Sequence, residues 1–317
     1  MPAPSRSMLF VMDPIEHEDV SGSTTLVFML EAQARGHEVL FCEPHDLEVI
    51  DGRAAARVTP VTLRREVGNH VDRGPSRTIL LDDEVDVAFQ RKDPPVEGVY
   101  VTSTQILGVC RRTLVLNDPR HILAFNEKLF ALHFPDLMAE TTVTREISVL
   151  RDFMAKLGGE MIVKPLDGKG GEGIFHVHDS DRNLSSILEQ ATGFGTRWAM
   201  AQRYLPEVRE GDKRILLLEG EPIGAVLRVP SDAEVRANLH VGGRAAKAEI
   251  TADDRAIIDR VGPVLREHGL FFVGIDVIGG RLTEINVTSP TGVQEVNALD
   301  DVRLEAVFMD AVERKLG

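Results

Sequence analysis

Apolar runs separated by turn-forming residues dominate the first third of the chain. Met8-Leu9-Phe10-Val11-Met12 is a continuous apolar run closed by Asp13-Pro14, the pattern of a strand buried on both faces. Residues 23–34 place Leu26, Leu30 and Ala34 four apart, which predicts a helix, and Arg35-Gly36 supplies its stop. Residues 38–42 form a second apolar run. Strand, helix and strand within about 35 residues predict a parallel βαβ unit. Residues 48–61 read as a hairpin around Asp51-Gly52. Residues 85–90 and 113–116 read as further strands, the first broken by Arg91-Lys92-Asp93-Pro94-Pro95. Asn117-Asp118-Pro119 opens a helix, with proline near its start.

The pattern changes after about residue 121. Residues 122–133 read as one helix, 136–144 as a polar, Thr-rich connector, and 145–157 as a helix ended by Gly158-Gly159. Met161-Ile162-Val163 is a strand that runs into Lys164-Pro165-Leu166-Asp167-Gly168-Lys169-Gly170-Gly171-Glu172-Gly173, and Ile174-Phe175-His176-Val177 follows as another. Strand, glycine-rich loop, strand is a different order from the strand, loop, helix of dinucleotide and Walker A folds. Strands are expected at 198–203, 214–218 and 223–229, then a long polar segment over 231–244, whose length suits a functional or mobile loop. A helix over 253–268 carries Ile257, Ile258, Val261, Val264 and Leu265 on one face and stops at Gly269. Strands at 271–278 and 281–290 follow, and 302–316 is an amphipathic helix. The expected class is α/β, divided near 121 and 200 into units 1–121, 122–200 and 201–317.

Several polar residues interrupt these apolar runs. Asp276 sits inside Phe271-Phe272-Val273-Gly274-Ile275-Asp276-Val277-Ile278. Glu284 and Asn286 are two apart on the next strand and share a face. Oxygen ligands on rigid strands suit Mg²⁺ held together with phosphates; the same spacing also fits the polar face of an edge strand. Gly168, Gly170, Gly171 and Gly173 let backbone N–H groups approach an anion, and Lys164 before them offers a point charge. A flexible hairpin with a solvated lysine fits that pattern as well. Lys128, alone on a helix, reads as solvent-facing. Arg228, inside an apolar strand, needs a partner or must reach solvent, and Arg214 is similar. His176 and His178 share a strand face that could suit zinc, but no closely spaced third ligand accompanies them, so they read as a surface pair. A phosphate cradle, cations and a carboxylate–amide set are what nucleotide-dependent phosphoryl transfer needs.

Composition narrows the partners. A net charge of −14 over 317 residues argues against a broad nucleic-acid surface. Two cysteines, Cys42 and Cys110, are too few for a disulfide framework and read as small core residues of a cytoplasmic protein. The short apolar run near the N-terminus is neither a signal-peptide core nor a membrane span.

Long motifs from about Met8 to the C-terminus resemble prokaryotic glutathione synthetase, an ATP-grasp ligase. They are Met12-Asp13-Pro14, Arg91-Lys92-Asp93-Pro94-Pro95, Asn126-Glu127-Lys128-Leu129, Lys164-Pro165-Leu166-Asp167-Gly168, Tyr204-Leu205-Pro206, Gly211-Asp212-Lys213-Arg214, and Glu284-Ile285-Asn286-Val287-Thr288-Ser289-Pro290. Residues 62–82 and 96–115 follow none of the family's motifs. The resemblance implies an ATP-grasp fold behind an N-terminal parallel-sheet domain, with 122–200 as the central lid and 201–317 as the unit holding the metal and substrate sites. It implies that ATP phosphorylates the cysteinyl carboxylate of γ-glutamylcysteine, and that glycine displaces the phosphate to give glutathione. By position, Lys128, Lys164, Gly170 and Gly171 match residues at the ATP phosphates, and Gln202, Arg203, Tyr204 and Leu205 match the segment bordering adenine. Asp276, Glu284 and Asn286 match ligands of Mg²⁺, or of Mn²⁺ in its place. Arg228 and Arg214 match catalytic positions. Asp212, Arg214, Arg236, Asn238, Ser289 and Glu295 match positions near the peptide substrate. Arg236, Asn238 and Gly242-Gly243-Arg244 fall in a segment resembling the family's mobile active-site loop, and the family commonly forms homotetramers. Another ATP-grasp carboxylate–amine ligase, or a nucleotide-binding regulator without turnover, also fits these motifs.

Overall fold

The computed structural model describes residues 4–168, 170–231 and 243–317. The first sheet contains β1 (Ser7–Val11), β2 (Glu38–Cys42), β3 (Leu47–Ile50), β4 (Arg53–Leu63), β5 (Val71–Arg73), β6 (Arg77–Leu80), β7 (Val87–Gln90) and β8 (Leu114–Leu116). Its order is β3-β4-β2-β1-β7-β8, with β5 and β6 also paired to β4. Strands β2, β1, β7 and β8 are parallel, whereas β3, β5 and β6 run antiparallel to β4, and β4 antiparallel to β2. The N-terminal sheet is therefore mixed, with a parallel centre and an antiparallel flank. The central strand β1 is apolar throughout because neighbours cover both its faces: Met8 and Phe10 belong to one core cluster, Leu9 and Val11 to another. The helix Thr24–Ala34 joins β1 to β2, and the Ser23 side chain accepts from the Leu26 N–H to start it.

Strands β9 (Thr141–Thr144), β10 (Glu160–Pro165), β11 (Phe175–His178) and β12 (Ala199–Gln202) form an antiparallel sheet ordered β11-β10-β12-β9. One face packs on the helices Ile147–Lys156 and Leu184–Ala191 through Met161, Val163, Val177, Leu150 and Leu188. The third sheet, also antiparallel, is ordered β15-β14-β13-β16-β17, from β13 (Asp212–Leu218), β14 (Glu221–Val229), β15 (Arg244–Lys247), β16 (Phe272–Ile278) and β17 (Arg281–Asn286). The helix Ala252–Glu267 covers one face through Ile257, Ile258, Val261 and Leu265. A capping box between Thr251 and Asp254 opens that helix.

The structure departs from the sequence reading in several elements. The helix expected over 122–133 is interrupted: Pro119–Ala124 ends at Phe125, Asn126 caps a new turn at Glu127–Phe130, and a 3-10 turn completes the segment. The Thr-rich stretch read as a connector contains β9, because its backbone pairs with β12. Helices Gly98–Leu107, Leu184–Ala191 and Val293–Asp300 and strand β15 lie where no element was expected.

Packing also crosses the expected divisions. Ile122, Phe130, Phe134 and Met138 share a core with the five-stranded sheet rather than with the four-stranded one. The terminal helix Leu304–Leu316 packs on the first unit, where Phe308 stacks on Phe28 with ring centroids 3.8 Å apart. Among the described residues no helix is long and apolar enough to cross a membrane.

Candidate active site

A cleft of about 1070 Å³ is lined by residues of the four-stranded sheet, the five-stranded sheet and the loops that follow β1 and β7. The alternation of strand side chains populates it. On β10, Met161 and Val163 point into a core, so Ile162 and Lys164 face the cleft. The register sets Ile162 opposite His176 on β11 and opposite Gln202 on β12, and both line the same space. From the other side, β13, β14, β16 and β17 contribute Arg214, Arg228, Asp276, Glu284 and Asn286.

Asp276 is the hub of a buried charge network. Arg214 donates from Nε to Oδ1 at 2.5 Å and from Nη2 to Oδ2 at 2.9 Å, the parallel fork that suits guanidinium and carboxylate. Arg228 Nη2 lies 3.0 Å from Asp276 Oδ2 and 2.5 Å from Asp212 Oδ2. Burial opposes the charge on Asp276, but the two arginines outweigh it and hold the carboxyl below the usual carboxylate range. Asp212 has a weaker hold. Burial pushes it up to about 6 against the pull of Arg228, and the charge of Asp276 adds to the rise. Two buried atoms of the network, Asp212 Oδ1 and Arg228 Nε, have no hydrogen-bond partner among the described residues. Such groups are costly unless a ligand or water meets them.

Gly274 is what lets Arg214 lie flat across β16. A Cβ there would come within 2.9 Å of Arg214 Cδ and 3.2 Å of Pro290 Cβ. The amide of Asn286 donates inward, to Gly274 O and Asp276 Oδ2, each at 3.2 Å, which leaves its carbonyl oxygen for another partner. Asp276 and Glu284 are directly paired across β16 and β17. The three residues thus give a compact set of hard oxygen donors, the type that suits a divalent cation bound with phosphates.

The lysines are tied into the same frame. Asn126 caps its turn by accepting from the Lys128 and Leu129 N–H groups, while its own amide donates to Leu166 O at 3.0 Å. Glu127 accepts from Thr288 N at 3.0 Å and from Thr288 Oγ1 at 2.8 Å. Lys128 Nζ reaches Gly168 O at 2.8 Å and Glu284 Oε1 at 3.1 Å. Three consecutive side chains therefore fasten one short helix to the glycine-rich loop, to Glu284 within β17 and to Thr288 just beyond that strand. Lys128 is buried, at 5% exposure, and the solvent-facing reading of its helix position is corrected. The break at Phe125 and the new cap at Asn126 turn it inward. Burial lowers the pKa of Lys164, with Glu284 restoring part of it. In the loop, Gly170, Gly171 and Gly173 all have positive φ, which favours glycine.

The family model for the N-terminal domain of prokaryotic glutathione synthetase matches residues 7–122, and that for its ATP-grasp domain matches residues 127–301. The chain belongs to the prokaryotic glutathione synthetase family. It is accordingly an ATP-dependent ligase that forms a C–N bond in glutathione synthesis, and it uses ATP with a divalent metal. Glutathione synthetase of Brucella melitensis biotype 1 is 46% identical over 306 residues, covering 96% of this chain and 97% of the relative. That of Gloeobacter violaceus is 48% identical over 315 residues, covering 96% and 95%. Among solved structures, the D-cycloserine synthetase DcsG matches with a TM-score of 0.67 at 15% identity, over 98% of this chain and 100% of that one. The ATP-grasp ligase PsnB, complexed with minimal precursor, Mg and ADP, matches with a TM-score of 0.61 at 16% identity, over 98% of each chain. At those identities the likeness concerns the fold, and the fold is ATP-grasp.

Against this family frame, the cleft gathers Lys128, Lys164, Gly170, Gly171, Gln202, Arg203, Tyr204, Leu205, Asp212, Arg214, Arg228, Asp276, Glu284, Asn286, Ser289 and Glu295. Arg236 and Asn238 lie outside the described residues. The Arg203 guanidinium forms a two-pronged pair with Glu140 at 2.7 and 2.6 Å and is committed there. Sequence reasoning passed over Arg91 and Glu18, both in the cleft lining. Arg91 is buried at the end of β7, donating from Nε to Thr25 Oγ1 at 3.0 Å and from Nη2 to Pro290 O at 3.1 Å, and burial lowers its pKa to about 10. Its signal was present: it is the first residue beyond an apolar parallel strand, where α/β sheets place ligands. Lys92 pairs with Asp13 at 2.9 Å, which also joins the loops after β1 and β7.

Proposed function

We propose that this cleft joins the cysteinyl carboxylate of γ-glutamylcysteine to the amine of glycine. The observation that carries the reading is the convergence of Asp276, Glu284 and Asn286 with Lys128, Lys164 and Arg228 in one cleft. In the first step an oxygen of the carboxylate attacks the γ-phosphorus of ATP, the bond from that phosphorus to the bridging oxygen breaks, and ADP leaves. In the second, the glycine amine attacks the acyl carbon, the C–O bond to phosphate breaks, and the amine loses a proton as the amide forms.

Lys128 and Lys164 orient the phosphates as point charges, and the backbone of the Gly170-Gly171 loop covers them. Arg228 directs its Nε–H, which has no partner among the described residues, at the charge that develops on the transferred phosphoryl group. Arg214 and Asp212 position the acceptor carboxylate and hold Arg228 in place, and Ser289 and Glu295 border the peptide. Gln202, Tyr204, Leu205 and the Arg203 backbone border the adenine. Arg236 and Asn238, matched by resemblance to the peptide substrate, lie outside the described residues. Asp276, Glu284 and Asn286 would hold Mg²⁺, or Mn²⁺, which neutralises phosphate charge when bound. We also read the protein as a cytoplasmic homotetramer that contacts neither membrane nor nucleic acid, in keeping with its net charge of −14 and two free cysteines.

The test is ADP release from Mg-ATP in the presence of γ-glutamylcysteine, with and without glycine. Turnover that requires all three supports this reading. Turnover only with another acid or amine replaces the substrates while keeping the ligase, and tight ATP binding without ADP release defeats both.

A further inference from the structure

We propose that Glu160, His176 and His178 form a second cation site, for a borderline transition metal such as Zn²⁺, distinct from the Asp276–Glu284–Asn286 set. His176 and His178 share a face of β11, and neighbouring β10 supplies the third donor that their sequence neighbourhood lacks. The register places Glu160 directly opposite His178. Glu160 Oε1 lies 2.7 Å from His176 Nε2 and 3.6 Å from His178 Nε2, and one donor atom from each residue lies within 4.8 Å of the other two. Two imidazoles and a carboxylate form a donor set that prefers Zn²⁺ over Mg²⁺, since imidazole nitrogen suits the borderline ions and oxygen the hard ones. His178 is 52% exposed at the side chain, so the ion has an entry path and a fourth position for water.

The site touches the cleft. His176 lines it, and its ring stacks on Tyr204 with centroids 3.9 Å apart and planes 19° apart. An ion that fixes the His176 imidazole also fixes Tyr204, next to Gln202 and Leu205. Zn²⁺ at this site therefore acts on nucleotide entry. This second half rests on the assignment of Tyr204 to the adenine end.

The experiment is Zn²⁺ titration by calorimetry with the whole chain in saturating Mg²⁺ and without nucleotide, which makes the binding result independent of the ligase assignment. One equivalent binds to the wild type. His178→Ala, which leaves the Glu160–His176 contact and the cleft lining in place, weakens it by about 10–100-fold or more. Co²⁺ in the same site gives the intense visible bands of a four-coordinate ion, and these are lost in His178→Ala. Equal affinity in wild type and variant, or no uptake by the wild type, overturns the site. For the coupling, Zn²⁺ raises the ATP KM of the wild type and leaves that of His178→Ala unchanged. A KM unaffected by bound Zn²⁺ overturns the coupling.

Discussion

Asp212 is a residue of the site that responds to pH. Its pKa, pushed up to about 6 by burial, places the change of charge inside the accessible range. For stability, the raised value means that the native state holds a proton which the unfolded chain releases. This favours the fold most below the ordinary carboxylate value of 3.8, and the advantage is lost as the pH rises to about 6. For activity the direction is opposite, because only the ionised carboxylate pairs fully with Arg228. We expect kcat/KM to fall as the pH drops through about 6, and Asp212→Asn to flatten that limb. Both pH–rate profiles are compared at the same Mg-ATP level so that ATP's own titration cancels; an identical acid limb in the variant removes the assignment. Arg228→Ala is expected to lower kcat about 10²–10³-fold with little change in ATP affinity, as for loss of a donor to developing charge. Single-turnover kinetics and nucleotide binding check it, and a kcat near wild type would count against the role. Glu284→Gln and Asn286→Ala should impair Mg-ATP turnover far more than folding, since neither is in an apolar core. Unchanged turnover in both, measured beside thermal melts, would remove the metal assignment.

At the scale of elements, strand alternation explains why the site residues could be picked out. Asp276, Glu284, Asn286, Arg228 and Lys164 all interrupt apolar or alternating strands, and a charged group in such a place needs a partner. Lys128 shows the opposite case. Its helix looked ordinary because the break at Phe125 depends on Asn126 bonding to Leu166, forty positions along the chain. The Thr141–Thr144 strand was hidden for a related reason: a short polar strand has little pattern of its own, and its pairing with β12 is a distant contact. Gly274 tests how closely an element must fit the site. Gly274→Ala would press on Arg214 and Pro290, costing about 1–3 kcal/mol as overpacking. It should also lower kcat by moving the fork off Asp276. Denaturant unfolding and steady-state kinetics together check this; wild-type kinetics in a stable variant would show that Arg214 tolerates the shift.

At the scale of the whole molecule, Asn117 links the first sheet to the third. Its amide donates to Phe272 O at 3.0 Å and Val287 O at 2.8 Å, and its carbonyl accepts from Phe272 N at 2.8 Å. The sequence presented Asn117 as part of a helix start, but Asp118 does the capping, accepting from Arg120 and His121 N–H groups. Asn117→Ala would strand three buried backbone groups, at about 1–3 kcal/mol each before relaxation. We expect a clear fall in Tm by calorimetry, and a variant that melts with the wild type would show that water replaces the link. The terminal helix repeats the lesson, because Phe308 completes a core begun by Phe28 and Phe89 near the other end of the chain.

The sequence by itself determined which stretches are strands with a charged interruption, where the glycine-rich loop lies, and, through long motifs, the family. Those features are local: residue type, period and spacing state them without reference to a partner. Only the tertiary structure decided that Lys128 is buried, that Arg91 and Glu18 join the cleft, that Asp276 is shared by two arginines, and that Glu160 stands beside two histidines. Each of these depends on distant backbones brought together by sheet register and core packing. Burial and pairing, which set the charge state and reach of a side chain, exist only once those contacts form.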